Sequence, residues 1–193
     1  PTLQGEGPSI GTPAIFLRTR RCNLACAWPC DTTYTWDKKD PGFYKYETLS
    51  VDEICNRLLD SRPYVPLLVI TGGEPLLWQR ELVSLVTGLY MYFQRIEIET
   101  AGTILPVKGF ETCHFNVSPK LESSGNQRHA RMRPRVLTYF ASLERAVFKF
   151  VVTSIGDFEE VDDLVKMFDI PKNKVYIMPE VVEPSKLLKT QML

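Results

Sequence analysis

Arg21-Cys22-Asn23-Leu24-Ala25-Cys26-Ala27-Trp28-Pro29-Cys30-Asp31-Thr32 carries three of the chain's five cysteines within nine residues. Three thiolates this close can face one centre only by sharing a metal or a cluster. Disulfides consume cysteines in pairs, and so short a loop makes pairing awkward while leaving one sulfur unmatched. Structural zinc takes four protein ligands, usually as two well-separated pairs. No second pair is present: Cys55 and Cys113 stand alone, and His114 and His129 have neither helical nor knuckle spacing. Three sulfur ligands suit an iron-sulfur cluster that leaves one iron open to something other than protein. An open iron implies chemistry more than electron storage.

The flanking sequence predicts where that loop sits. Ala14 to Arg20 alternates after an apolar start and reads as a strand whose C-terminal end delivers the cysteines. Ligands of parallel α/β folds collect at that end of the sheet. Pro66 to Thr71 is a short apolar strand of the kind buried on both faces, and it runs into Gly72-Gly73-Glu74-Pro75, where glycines let backbone approach a ligand closely. Arg95 to Thr100 reads as a third strand with Glu97 and Glu99 on one face. Glu97 is expected on a solvated surface, and Glu99, nearer the C-terminal end, is a site candidate. Further strands are predicted over Cys113 to Val117, Ala146 to Thr153 and Lys174 to Met178, with His114 taken as structural.

Helices are predicted between them. Ser50-Val51-Asp52-Glu53 is a capping box opening a helix to about Ser61, with Cys55 packed in the core. Apolar spacing predicts further helices over Gln79 to Phe93, Pro134 to Ser142 and Asp157 to Phe168. Pro1 to Pro13 reads as irregular backbone, Tyr34 to Thr48 as an ordered loop with room for a small hairpin, and Glu122 to Arg135 as a solvated loop. The alternation of strand and helix predicts an α/β fold, a parallel sheet of about six strands curled into an incomplete TIM-like barrel.

Composition narrows the function. At 193 residues the chain fits one domain, residues 1–193, and its start at Pro1 and stop at Leu193 suggest that both ends are cut. The 23 basic and 23 acidic residues cancel, so no global field attracts nucleic acid or an anionic membrane. Arg128, His129, Arg131, Arg133 and Arg135 cluster without interleaved aromatic residues, which argues against a nucleic-acid patch. No apolar run is long enough to span a bilayer. A small-molecule partner is expected, and the odd cysteine count suits a reducing compartment, the cytoplasm. A phosphate-cradling reading of the N-terminal glycines fails, because no Lys-Ser or Lys-Thr follows them.

Four stretches in order, Thr2-Leu3-Gln4-Gly5-Glu6-Gly7-Pro8, the loop ending Cys30-Asp31-Thr32, Thr71-Gly72-Gly73-Glu74-Pro75 and Ser118-Pro119-Lys120, resemble those of the 7-carboxy-7-deazaguanine synthases. These are radical S-adenosylmethionine (SAM) enzymes of 7-deazapurine, queuosine-type, biosynthesis. The resemblance runs from Pro1 to about Glu180. One departure lies in the cysteine loop, where Pro29 lengthens the second gap to three residues, Ala27, Trp28 and Pro29, against the usual two.

The resemblance implies a radical SAM fold and a lyase that turns 6-carboxy-5,6,7,8-tetrahydropterin into 7-carboxy-7-deazaguanine with loss of ammonia. By it, Cys22, Cys26 and Cys30 hold a 4Fe-4S cluster whose open iron binds SAM, and Thr32 is a magnesium ligand of the hard oxygen type. Pro29, Asp31, Gly73, Glu74, Ser118, Pro119, Lys120, Met178, Pro179 and Glu180 face the SAM cofactor. Leu3, Gln4, Gly5, Glu6, Arg18, Thr71 and Glu99 face the pterin, with Arg18 offering a planar fork to its carboxylate. A homodimer and an external, flavodoxin-like electron donor are also implied. Two rival readings are a glycyl-radical-enzyme activase, which leaves Leu3 to Gly7 unexplained, and a non-catalytic zinc or iron-sulfur binding module.

Overall fold

The computed structural model describes residues 1–27, 30–61 and 65–180. Pro29, assigned above to the cofactor, lies outside the described residues, as does Trp28. The chain divides into two compact units, one of residues 1–23, 32–100 and 106–115 and the other of residues 24–31, 101–105 and 116 onward. Among the described residues no helix is long and apolar enough to cross a membrane.

The first unit contains β1 (Thr2–Leu3), β2 (Pro13–Thr19), α1 (Val51–Ser61), β3 (Leu67–Gly72), α2 (Gln79–Leu89) and β4 (Arg95–Thr100). Its strands lie in chain order, β1 antiparallel to β2 and β2, β3 and β4 mutually parallel. Ala14 stands opposite Leu67, and Leu67 opposite Arg95. Every residue of β3 is buried, as its unbroken apolar run requires of a strand covered on both faces. The capping box forms as predicted: Ser50 N donates to Glu53 Oε2 at 2.8 Å, and Glu53 N donates to Ser50 Oγ at 3.2 Å.

Four sequence expectations change in this unit. The N-terminal stretch is not wholly irregular, because Thr2–Leu3 pairs with β2 and Gln4 closes the return, its N–H donating to Thr12 O and its carbonyl accepting from Gly11 N. The helix α2 stops at Leu89, and Phe93 prolongs the apolar pattern only because it is buried in the turn that follows. Residues 34–48 contain no strand. They are held instead by Arg20, whose guanidinium carbon lies 4.2 Å from the ring centre of Phe43 and 3.9 Å from that of Tyr46. Glu97, expected in solvent, is fully buried, accepting from Ser9 Oγ at 2.5 Å and pairing with Arg95 Nε at 2.6 Å. A buried carboxylate is tolerated where it is both paired and hydrogen-bonded.

The second unit contains α3 (Arg128–Arg131), α4 (Pro134–Ser142), β6 (Ala146–Val152), α5 (Asp157–Met167) and β7 (Val175–Pro179); the residues of β5 (His114–Val117) divide between the units. β6 and β7 are parallel, with Phe148 opposite Val175. Alternate residues of β6, Ala146, Phe148, Phe150 and Val152, are buried. Among the described residues the seven strands thus include one short antiparallel strand beyond the six predicted, and each predicted one is present.

Residues 122–135 are not the solvated loop expected, for they contain α3 and bury Arg131. Its guanidinium pairs with Glu160 at 2.6 Å and donates to Lys120 O at 3.0 Å. Arginine density alone resembles a surface; one arginine with an acidic partner and a carbonyl to bind is a core tie. Arg131→Met is expected to lower the urea unfolding midpoint at unchanged slope, corresponding to about 1–3 kcal/mol for stranding these acceptors.

Candidate active site

In the first unit, the chain leaves β2 through Arg20 and Arg21. Arg21 has φ +73°, a left-handed conformation few non-glycine residues adopt, and it is held from both sides. Its N–H donates to Thr35 O at 2.9 Å, and its carbonyl accepts from Glu74 N at 2.8 Å. Trp78 Nε1 donates to Arg20 O at 2.6 Å. These contacts fix the backbone that carries Cys22.

The Gly72-Gly73 pair lies directly against it. A Cβ on Gly73 would stand 2.3 Å from Arg21 O and 2.8 Å from Cys22 Cβ, and one on Gly72 would stand 2.3 Å from Thr19 Oγ1. Only glycine permits that approach. Glu74 is fully buried, its carboxylate accepting from Leu76 N at 3.1 Å and lying 2.9 and 3.0 Å from Thr100 Oγ1. The side chain thereby caps the 3-10 turn Pro75–Trp78 and ties the end of β3 to the end of β4.

The residues assigned to the pterin gather partly here. Gln4 is buried and donates through Nε2 to Glu99 Oε1 at 3.1 Å, while its Oε1 accepts from Glu6 N at 3.3 Å. Leu3 is exposed, and a Cβ on Gly5 would meet open space. Arg18 is exposed on β2 and donates from Nη1 to Gly72 O at 3.3 Å. Thr71 is buried, its carbonyl accepting from Thr19 Oγ1 at 3.1 Å. Thr32 is buried, and its carbonyl accepts from Thr35 Oγ1 at 2.7 Å.

In the second unit, Cys26 and Cys30 are both half-buried, with Asp31 exposed beside them. Burial pushes the Cys26 thiol up, opposed by the charge of Lys120 and a hydrogen bond from Asn126. Lys120 Nζ donates to Ser118 Oγ at 3.0 Å, and Ser118 and Pro119 are buried. Met178 and Pro179 end β7 half-buried, and Glu180 N donates to Val152 O at 2.8 Å.

Among the described residues no three His, Cys, Asp or Glu side chains are grouped as a ready-made ion site. The donor set itself fits an iron-sulfur cluster: Cys22, Cys26 and Cys30 are all thiols outside any disulfide, and the charge of Lys120 acts on Cys26. Thr100, Trp78 and Asn126 escaped the sequence reading. Thr100, a polar residue at the C-terminal end of a strand, had a positional signal; the other two act through contacts with residues remote in the chain.

No protein-family model matches the chain. It is 35% identical to the 7-carboxy-7-deazaguanine synthase of Pyrobaculum aerophilum over 185 residues, 95% of this chain and 78% of that protein. To the 7-carboxy-7-deazaguanine synthase of Hyperthermus butylicus it is 37% identical, covering 100% of this chain and 78% of that one. The crystal structure of QueE from Escherichia coli matches with a TM-score of 0.70 at 28% identity, covering 99% of this chain and 85% of that chain. The α/β architecture is therefore an incomplete barrel, and the class is that of the radical SAM enzymes. Such an enzyme uses SAM with a 4Fe-4S cluster. Within that class, the chain belongs to the 7-carboxy-7-deazaguanine synthase family.

Proposed function

We propose that the chain is a carbon-nitrogen lyase that converts 6-carboxy-5,6,7,8-tetrahydropterin to 7-carboxy-7-deazaguanine and ammonia, a step of queuosine-type 7-deazapurine biosynthesis. Family membership supports the class, and one observation carries the substrate: the partly buried hydrogen bond from Gln4, itself buried, to Glu99. It joins an amide and a carboxylate from opposite ends of the first unit's sequence, a mixed donor and acceptor edge of the kind a pterin ring presents.

Cys22, Cys26 and Cys30 would hold the cluster, which with SAM supplies one-electron, hydrogen-abstracting chemistry. The chain's own residues bind and orient. Gly73 brings backbone close to Cys22 at the start of the cysteine loop, with Glu74 capping the following turn, and both are assigned to the SAM side together with Asp31, Ser118, Pro119, Lys120, Met178, Pro179 and Glu180. Arg18 offers its exposed fork to the substrate carboxylate, and Leu3, Gly5, Glu6 and Thr71 complete that side. Thr32 would contribute an oxygen to magnesium. The reading includes a homodimer, an external flavodoxin-like electron donor and a cytoplasmic setting.

The test is product analysis after anaerobic iron-sulfur reconstitution and incubation with the carboxypterin, SAM, magnesium and a reductant. Equal amounts of 7-carboxy-7-deazaguanine and ammonia are expected. SAM cleavage without either product would favour an activase, and iron uptake with SAM left intact would favour a binding module. Gln4→Ala is expected to lower kcat/KM about tenfold, the equivalent of one well-formed buried hydrogen bond, with no change in iron content.

A further inference from the structure

We propose that Asn126 is a positioning residue for the iron-sulfur centre, donating an N–H···S hydrogen bond to Cys26 that raises the reduction potential of the cluster while its carbonyl clamps the loop. This rests on the reading of Cys26 as a cluster ligand. Asn126 Nδ2 lies 3.3 Å from Cys26 Sγ and 3.2 Å from Ser124 Oγ, so its two hydrogens each have an acceptor. Its Oδ1 accepts from Ala25 N at 3.0 Å, which fixes the orientation of the amide. A flipped amide would set two donors against each other at Ala25 and offer the sulfur no hydrogen.

The residue on the other side of Cys26 is tied to the same segment: Ala27 N donates to Ser124 O at 2.8 Å. Both neighbours of the cysteine are therefore anchored to residues 124–126. Gly125 makes the approach possible, since it adopts φ +73° and a Cβ there would stand 2.7 Å from Ala27 Cβ. The segment is itself rigid, with Ser124 fully buried and Gly125 N donating to Glu122 O at 2.9 Å. Two loops separated by about a hundred residues are thus zipped together on either side of one sulfur.

Reduction of a cluster spreads negative charge onto its sulfur ligands. A donor aimed at one of them stabilises the reduced form more than the oxidised, and so raises the potential. Lys120 acts on Cys26 in the same direction through its charge. Asn126 adds directional control and fixes the side chain at the same time.

The test measures the midpoint potential of the reconstituted cluster by EPR-monitored titration, with iron content in parallel, in the wild-type chain, Asn126→Ala and Asn126→Asp. The loaded fraction of the alanine variant is expected at a more negative potential than wild type. The aspartate variant keeps an acceptor for Ala25 N, so normal iron content is expected, with a shift larger than that of alanine because the donor is replaced by a charge. Should the alanine variant fail to load, the aspartate variant supplies the reading. A wild-type potential in the loaded fraction of either variant, with or without reduced iron content, would overturn the proposal and leave Asn126 a purely structural tie. A wild-type chain that assembles no cluster would instead overturn the ligand reading on which the proposal stands.

Discussion

Gly73→Ala is expected to cost about a hundredfold in SAM cleavage, the scale of a displacement near 1 Å at a reacting centre, while the chain remains folded. The added methyl group would stand 2.3 Å from the Arg21 carbonyl oxygen and 2.8 Å from Cys22 Cβ. The first neighbour cannot yield cheaply, because it is backbone. Arg21 is already in a left-handed conformation and is bonded to Thr35 O through its N–H and to Glu74 N through its carbonyl. The strain, of order 1–3 kcal/mol for one methylene too many in a packed site, is therefore relieved by moving Cys22. Electronic absorption of the reconstituted cluster and the rate of SAM loss would be read together. A variant with wild-type cleavage would show that this close approach is not needed for the chemistry.

Alanine at Cys22, Cys26 or Cys30 is expected to remove iron-sulfur absorbance and SAM cleavage entirely. Each leaves only two thiolates in the loop, and neither Cys55, half-buried on α1, nor Cys113, buried just before β5, belongs to it. Stability should change little, within about 1 kcal/mol, because the three side chains are only partly buried and take no part in a disulfide. Alanine at Cys55 is the control, with cluster and cleavage retained. Full iron content in any of the three loop variants would remove that cysteine from the ligand set.

What could be read from the sequence was local. Alternation marked β2, the unbroken apolar run marked β3 as buried on both faces, and Ser50 with Glu53 marked the start of α1 through a box that closes as its spacing dictates. Glycine at positions 72 and 73 announced a close approach, in the sequence one to a ligand; the structure shows the chain's own Thr19 and Arg21 against them.

Glu97 shows where such reading stops. Period-two spacing puts Glu97 and Glu99 on one face of β4, and from sequence Glu97 is expected in solvent while Glu99, nearer the strand's end, is a site candidate. That face is covered by the N-terminal segment, Ser9 bonding Glu97 and Gln4 bonding Glu99 across 88 and 95 residues of sequence. Asn126 is hidden in the same way. Nothing in Ser124-Gly125-Asn126 announces a partner for a cysteine a hundred residues earlier, and only tertiary structure makes the pair.

The claim beneath all of this is that the cysteine loop holds a cluster with one iron open to SAM. The direct measurement is the EPR spectrum of the anaerobically reconstituted, chemically reduced wild-type chain before and after SAM is added. The account predicts a reduced 4Fe-4S signal whose g values move when SAM binds. A zinc tetrathiolate in place of iron, or an iron-sulfur signal that SAM leaves unchanged, would contradict it.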